Sequence, residues 1–302
     1  MAITWYIWRG DIFRVPLSTL QLPKQKGGWG LLNIAAKCKA LYAYRLRATS
    51  TGGSMLTALW LRKWGLTKKE ENPPHLHRIP IQLEYLRIYA LDSAYISERE
   101  AAESERAYKC RLYTTMCILL KVETDQPVLR ITRRWSNTDW ATVWTNVHEA
   151  PVPTTVKVTW YKVINDIIPT RARLFTIRLA QTDQCEHCPK SDTMLHRLTE
   201  CELTTIIWER TRQLIATILR TDWRRIPEDW LMRPTIKLWP PKRHRAVLWM
   251  LATYVRYCTQ RHRELMLSDY YDFLRRSRWK MDTRTNRDKL VGNYLSVIPA
   301  NG

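Results

Sequence analysis

The stretch Cys-Glu-His-Cys-Pro-Lys-Ser-Asp-Thr-Met-Leu-His-Arg-Leu-Thr-Glu-Cys, residues 185–201, constrains this chain more than any other. It gathers three of the seven cysteines and two of the seven histidines. The spacing Cys185-x2-Cys188-x7-His196-x4-Cys201 lets two thiolates reach one ion from a tight turn, with the second pair presented by a following short helix. Asp192 and Thr193 are placed to cap that helix. Three thiolates and one imidazole fill a tetrahedron, which is the donor set of a structural zinc rather than of a catalytic one with an open water position. Two other readings compete. A Cys185/Cys188 redox pair would want a strand-helix setting of the thioredoxin kind, which the flanking sequence does not offer. His187 could replace His196, but it lies between the two cysteines and would strain their turn.

The rest of the chain reads as mainly α, with few short strands. At 302 residues and 45% hydrophobic content it can bury a core. Residues 33–48 form a basic helical stretch with Ile34, Cys38, Leu41 and Leu46 on or near one face. Residues 96–120 predict a helix opened by Ser97 with Glu100 three residues later. Two amphipathic helices follow the cysteine cluster, near 203–221 and 245–265, with Trp208 and Trp249 expected in the core. The apolar run Ala246–Val255 is half the length needed to span a bilayer. No secretory leader is legible at the start, so an intracellular setting with reduced thiols is expected.

Lys and Arg number 49 against 28 Asp and Glu, a formal charge of +21. Such an excess points to a polyanionic partner, and without a membrane anchor that means nucleic acid, RNA and DNA alike. Four places combine cations with flat rings. One holds Lys24, Lys26 and Trp29 with Lys37 and Lys39 after them. Another holds Arg133 and Arg134 beside Trp135. A third flanks the cysteines with Arg171, Arg173, Arg178 and Arg197, and the fourth comprises Lys242, Arg243, Arg245, Arg275 and Arg276. No phosphate-cradling glycine loop and no nucleophile elbow is present, so no small-molecule substrate is expected.

Two stretches carry a family resemblance. Ile168-Pro169-Thr170-Arg171, then Leu174, then Thr193 and His196 within the cysteine array, resembles the zinc-binding segment of non-LTR (LINE-type) retrotransposon reverse transcriptases. Residues 8–46, with the Lys24–Leu31 glycine turn, are similar to the segment that follows the polymerase palm in the same proteins. The resemblance implies a thumb-like segment at 1–48, a helical connector at 49–153, a zinc-binding segment at 154–205 and a basic helical domain at 206–302. It also implies one structural zinc, a role in gripping template RNA and target DNA, nuclear work, and a palm and fingers fragment as a possible partner. The sequence departs from the family in having no Asp-Asp pair, which two-metal nucleotidyl transfer would use, so no enzymatic activity of its own is expected. A domesticated protein-protein adaptor, or a non-functional relic of such an element, is the alternative reading.

Overall fold

The computed structural model describes residues 16–52, 55, 99–120, 135–260, 265–282 and 298. The chain divides into two compact units: residues 20–22 with 30–124, and residues 1–19 and 23–29 with 125–302. It is mainly helical. Among the described residues there is no strand, and the few short ones expected reduce to a single antiparallel bridge between Gln184 and Ser191.

After a short helix α1 (Leu17–Gln21), the smaller unit is built from α2 (Ile34–Gly52) and α3 (Glu105–Leu119). Asn33 caps α2, its Oδ1 accepting from the Ala36 N–H at 3.0 Å, while its own N–H donates to Tyr113 Oη at 2.9 Å. α3 starts at Glu105 behind Ser104, whose hydroxyl accepts from Ala107 N–H at 3.2 Å. Ser97, expected in that role, lies outside the described residues. The buried face of α2 is also not the expected one. Ala36, Ala40 and Ala43 pack against Tyr108, Leu112 and Met116, whereas Ile34, Cys38 and Leu41 are exposed. Small side chains on this face let the two backbones come close, which a leucine face would prevent.

The larger unit is organised around α8 (Pro241–Gln260), which packs against α4 (Trp140–Glu149), α5 (Thr154–Ile164), α7 (Glu202–Leu219) and α9 (Leu267–Asp282). From Ala246 to Val255 every residue of α8 is buried. The longest apolar run is therefore a core helix surrounded by partners, and a helix apolar on all sides is stable only in such a place. None of the described helices is long and apolar enough to cross a membrane. Trp144, Trp160, Trp208 and Trp249 are fully buried, as are Tyr161, Tyr254, Tyr257 and Tyr270. Trp160 Nε1 donates to Leu231 O at 2.8 Å and Tyr257 Oη to Met266 O at 2.8 Å, whereas Trp144 Nε1 and Trp208 Nε1 are buried without a hydrogen-bond partner.

Candidate metal centre and basic surface

Cys185 and Cys188 sit on a knuckle closed by its own backbone. Cys185 N–H donates to Lys190 O at 2.8 Å, Asp192 N–H to Asp183 O at 2.8 Å, and His187 N–H approaches Cys185 Sγ at 3.4 Å. The third and fourth side chains come from an unusual turn. Thr193 Oγ1 accepts from His196 N–H at 3.1 Å and starts it, and residues His196–Glu200 then wind as a π-helix. Cys201 N–H closes the turn on His196 O at 2.8 Å. An α-helix advances about 100° per residue, so residues five apart point about 140° away from each other. With about 4.4 residues per π turn the difference falls to about 50°, which swings Cys201 to the His196 side. Cys201 is itself extended (φ −70°, ψ 139°) and its carbonyl begins α7, accepting from Thr204 N–H and Thr205 N–H, both at 2.9 Å.

The four ligand atoms lie within 4.8 Å of one another. Cys185 Sγ and Cys201 Sγ are 3.9 Å apart, and Cys188 Sγ is 3.3 Å from His196 Nε2. Ideal zinc bond lengths in a tetrahedron give about 3.8 Å between sulfurs and about 3.6 Å between sulfur and nitrogen, so the donors fit a zinc ion. His196 is 1% exposed, with Glu200 Oε2 4.0 Å from its Nδ1. A carboxylate on that side favours the proton on Nδ1 and leaves the Nε2 lone pair for a ligand bond. Burial holds the His196 ring below its ordinary pKa, keeping it neutral as a ligand must be. Burial also pushes the Cys201 thiol up to about 12. A thiolate at that depth requires a compensating cation, which a divalent metal provides. His187 is not among the converging groups.

Asp192 ties the knuckle to what precedes it. Its buried carboxylate accepts from Arg171 N–H at 2.8 Å and from Arg197 through Nε at 3.1 Å and through Nη2. Thr193 does cap the turn, as the sequence suggested, but Asp192 does not. It sits between α6 (Arg171–Thr176), itself capped by Thr170, and the π turn.

The basic candidates divide. Arg171 pairs with Glu186, Arg173 donates to Asp166 O and Arg197 is held by Asp192, so the cations around the knuckle are largely spent on its own architecture. Lys39 is 7% exposed, with its pKa lowered by burial, and Lys37 lies 5.8 Å from the Tyr113 ring. These two serve the small unit rather than an open surface. Trp29, expected as a stacking platform, is packed edge-on against His148 at 5.5 Å and Tyr161 at 6.1 Å. The turn carrying it is pinned there: Gly27, at φ 83°, offers its carbonyl to Tyr161 Oη at 2.6 Å, and Gly28 O lies 2.9 Å from His148 Nε2. Trp135 is covered by the Arg233 guanidinium, 3.8 Å from its ring centre. Arg133 and Arg134 lie outside the described residues. Arg275 pairs with Asp272 at 2.7 Å, and Arg243 and Arg245 are half-buried. Lys24, Lys26, Lys242 and Arg276 remain exposed. Trp239, which opens the Trp-Pro-Pro-Lys-Arg stretch of the fourth basic place, is exposed.

Comparison with known proteins agrees with the site. No curated protein and no solved structure gives a significant match to the chain. Residues 128–208, which contain the whole knuckle, the π turn and the start of α7, match the sequence model of a family described as zinc-binding in reverse transcriptase.

Proposed function

We propose that this chain is a nucleic-acid-gripping module related to reverse transcriptases of the non-LTR, LINE type, built around one structural zinc held by Cys185, Cys188, His196 and Cys201. The observation that carries the reading is the convergence of those four donors, within 4.8 Å of one another, inside the segment that matches a reverse-transcriptase zinc-binding family. When bound, zinc cross-links the 185–190 turn to the start of α7 and offers no open position to a substrate. The side chains of the site then act by placement: Thr193 and the π turn present His196 and Cys201, and Asp192 locks α6 to the knuckle.

Charge supports the partner. A formal +21 favours any polyanion, and the exposed Lys24, Lys242 and Arg276 are available for phosphates. The role is to hold template RNA and target DNA during target-primed reverse transcription in the nucleus, the catalytic carboxylates coming from a separate polymerase core. RNA and duplex DNA binding should be measured across a salt series, with zinc loaded, with zinc chelated, and in Cys188→Ser. Steeply salt-dependent binding that weakens when a ligand or the metal is lost is the expected result. Absence of binding at low salt would sink the reading in favour of a protein-protein adaptor.

A further inference from the structure

Trp239 is 83% exposed, more than any other large apolar side chain among the described residues. Its neighbours are not loose. Asn146, 3% exposed on α4, donates from Nδ2 to Pro234 O at 2.6 Å and to Ile236 O at 2.9 Å. Its Oδ1 lies 3.0 Å from His244 Nε2, so one buried amide holds the chain on both sides of Trp239. Ile236 is buried, Pro240 and Pro241 follow the tryptophan, and Arg243 N–H donates to Pro240 O at 3.0 Å. The indole is thus held out from a backbone that is fixed before any partner arrives, which lowers the ordering cost of binding.

The ring borders an open groove of about 580 Å³ whose walls include Thr142, Thr145, Ile236, Lys237 and His244. Its rim is cationic. Lys237 is 73% exposed at the side chain, Lys242 is exposed, and the first turn of α8 holds Lys242, Arg243 and His244 with no acidic residue. Asp139, the carboxylate on this wall, is taken up by Thr142 and by Lys237 at 3.2 Å. A flat exposed ring flanked by cations matches one ligand chemistry above others: an unpaired base with phosphates on either side. A duplex keeps its base faces stacked inside and cannot use the ring. An apolar peptide would leave Lys242 unanswered.

We propose that Trp239 is a base-stacking platform, on which an unpaired nucleotide of single-stranded RNA or DNA lies while its flanking phosphates meet Lys237 and Lys242. The proposal rests on the nucleic-acid reading above and says where an unpaired base sits. Stacking on an aromatic side chain contributes about 1–3 kcal/mol per base, so Trp239→Ala should weaken single-strand binding about five- to 150-fold.

The test uses the full zinc-loaded chain and fluorescence anisotropy with a short oligouridylate, and with a blunt duplex of equal length, at matched salt. Trp239→Ala should lose single-strand affinity by that factor, keep duplex affinity within about twofold, and melt like the parent. Trp239→Phe should retain most of the binding. Photocrosslinking of iodouridine-substituted oligonucleotide to the unmutated chain should map to residues 236–245. Equal single-strand affinity in Trp239→Ala, an equal loss on duplex, or crosslinks that all fall elsewhere would each overturn the platform while leaving the nucleic-acid reading intact. No binding of either oligonucleotide by the parent chain would overturn both, and would leave the exposed ring as a contact for a protein partner.

Discussion

Replacing Asp192 with alanine removes the one acceptor shared by Arg171 N–H and the two Arg197 donors. The side chains of Asp192 and Arg197 are 2% and 12% exposed, so the arginine left behind cannot be fully rehydrated in place. Breaking a buried pair by deleting one partner costs about 3–5 kcal/mol. The partial access of Arg197 to water puts the expectation at the lower end, about 3 kcal/mol. Asp192→Asn is the informative companion. It keeps an acceptor for Arg171 N–H but turns an amide toward the guanidinium, losing charge-assisted bonding of about 1.5–3 kcal/mol. Urea unfolding of the zinc-loaded protein, followed by tryptophan fluorescence, measures both, provided the denaturant slope is unchanged. The expected order of stability is parent, then Asn, then Ala. If Asp192→Ala unfolds within about 0.5 kcal/mol of the parent, the carboxylate is not what locks α6 to the knuckle. If Asn and Ala cost the same, the charge matters and the bond to Arg171 N–H does not.

Acid should weaken the larger unit through His148. Burial first, with the nearby Lys24 and Lys157 charges adding to it, holds this ring below its ordinary pKa, while the bond to Gly28 O pulls the other way. The unfolded chain, titrating near about 6.5, therefore binds more protons below that pH than the folded one does. Stability from this residue is complete above the unfolded value and is lost as pH falls toward the folded one. His148→Gln keeps a donor for Gly28 O without titrating, so its urea midpoint should fall less than the parent's on acidification; parallel curves would refute the assignment. On α2 the two faces should respond oppositely to what their apolarity suggests. Ala40→Leu overpacks the contact with α3 and should cost about 1–3 kcal/mol. Leu41→Ala, at an exposed position, should stay within about 0.5 kcal/mol, and calorimetric melting distinguishes the two outcomes.

The sequence by itself determined the features whose parts lie close together along the chain. Cys185, Cys188, His196 and Cys201 fall within seventeen residues, and a knuckle plus one helical turn is enough to bring such a set onto one point. The Thr193 cap and the core positions of Trp208 and Trp249 follow from the same local patterns. What it could not show were assignments made by distant partners. Trp29 is half-buried because its glycine turn binds His148 and Tyr161, more than a hundred residues away. Trp239 is displayed because Asn146, some ninety residues earlier, pins the chain beside it. Both tryptophans sit next to Gly or Pro and near lysines, so composition cannot tell them apart. The alanine face of α2 was hidden for a similar reason: a hydrophobic pattern marks which residues favour burial, but the closeness of the neighbouring helix decides which of them obtain it. The π turn at His196 was hidden as well. One residue's worth of extra winding leaves no mark on an apolar pattern, yet it rotates Cys201 to the His196 side, where its N–H closes the turn on His196 O.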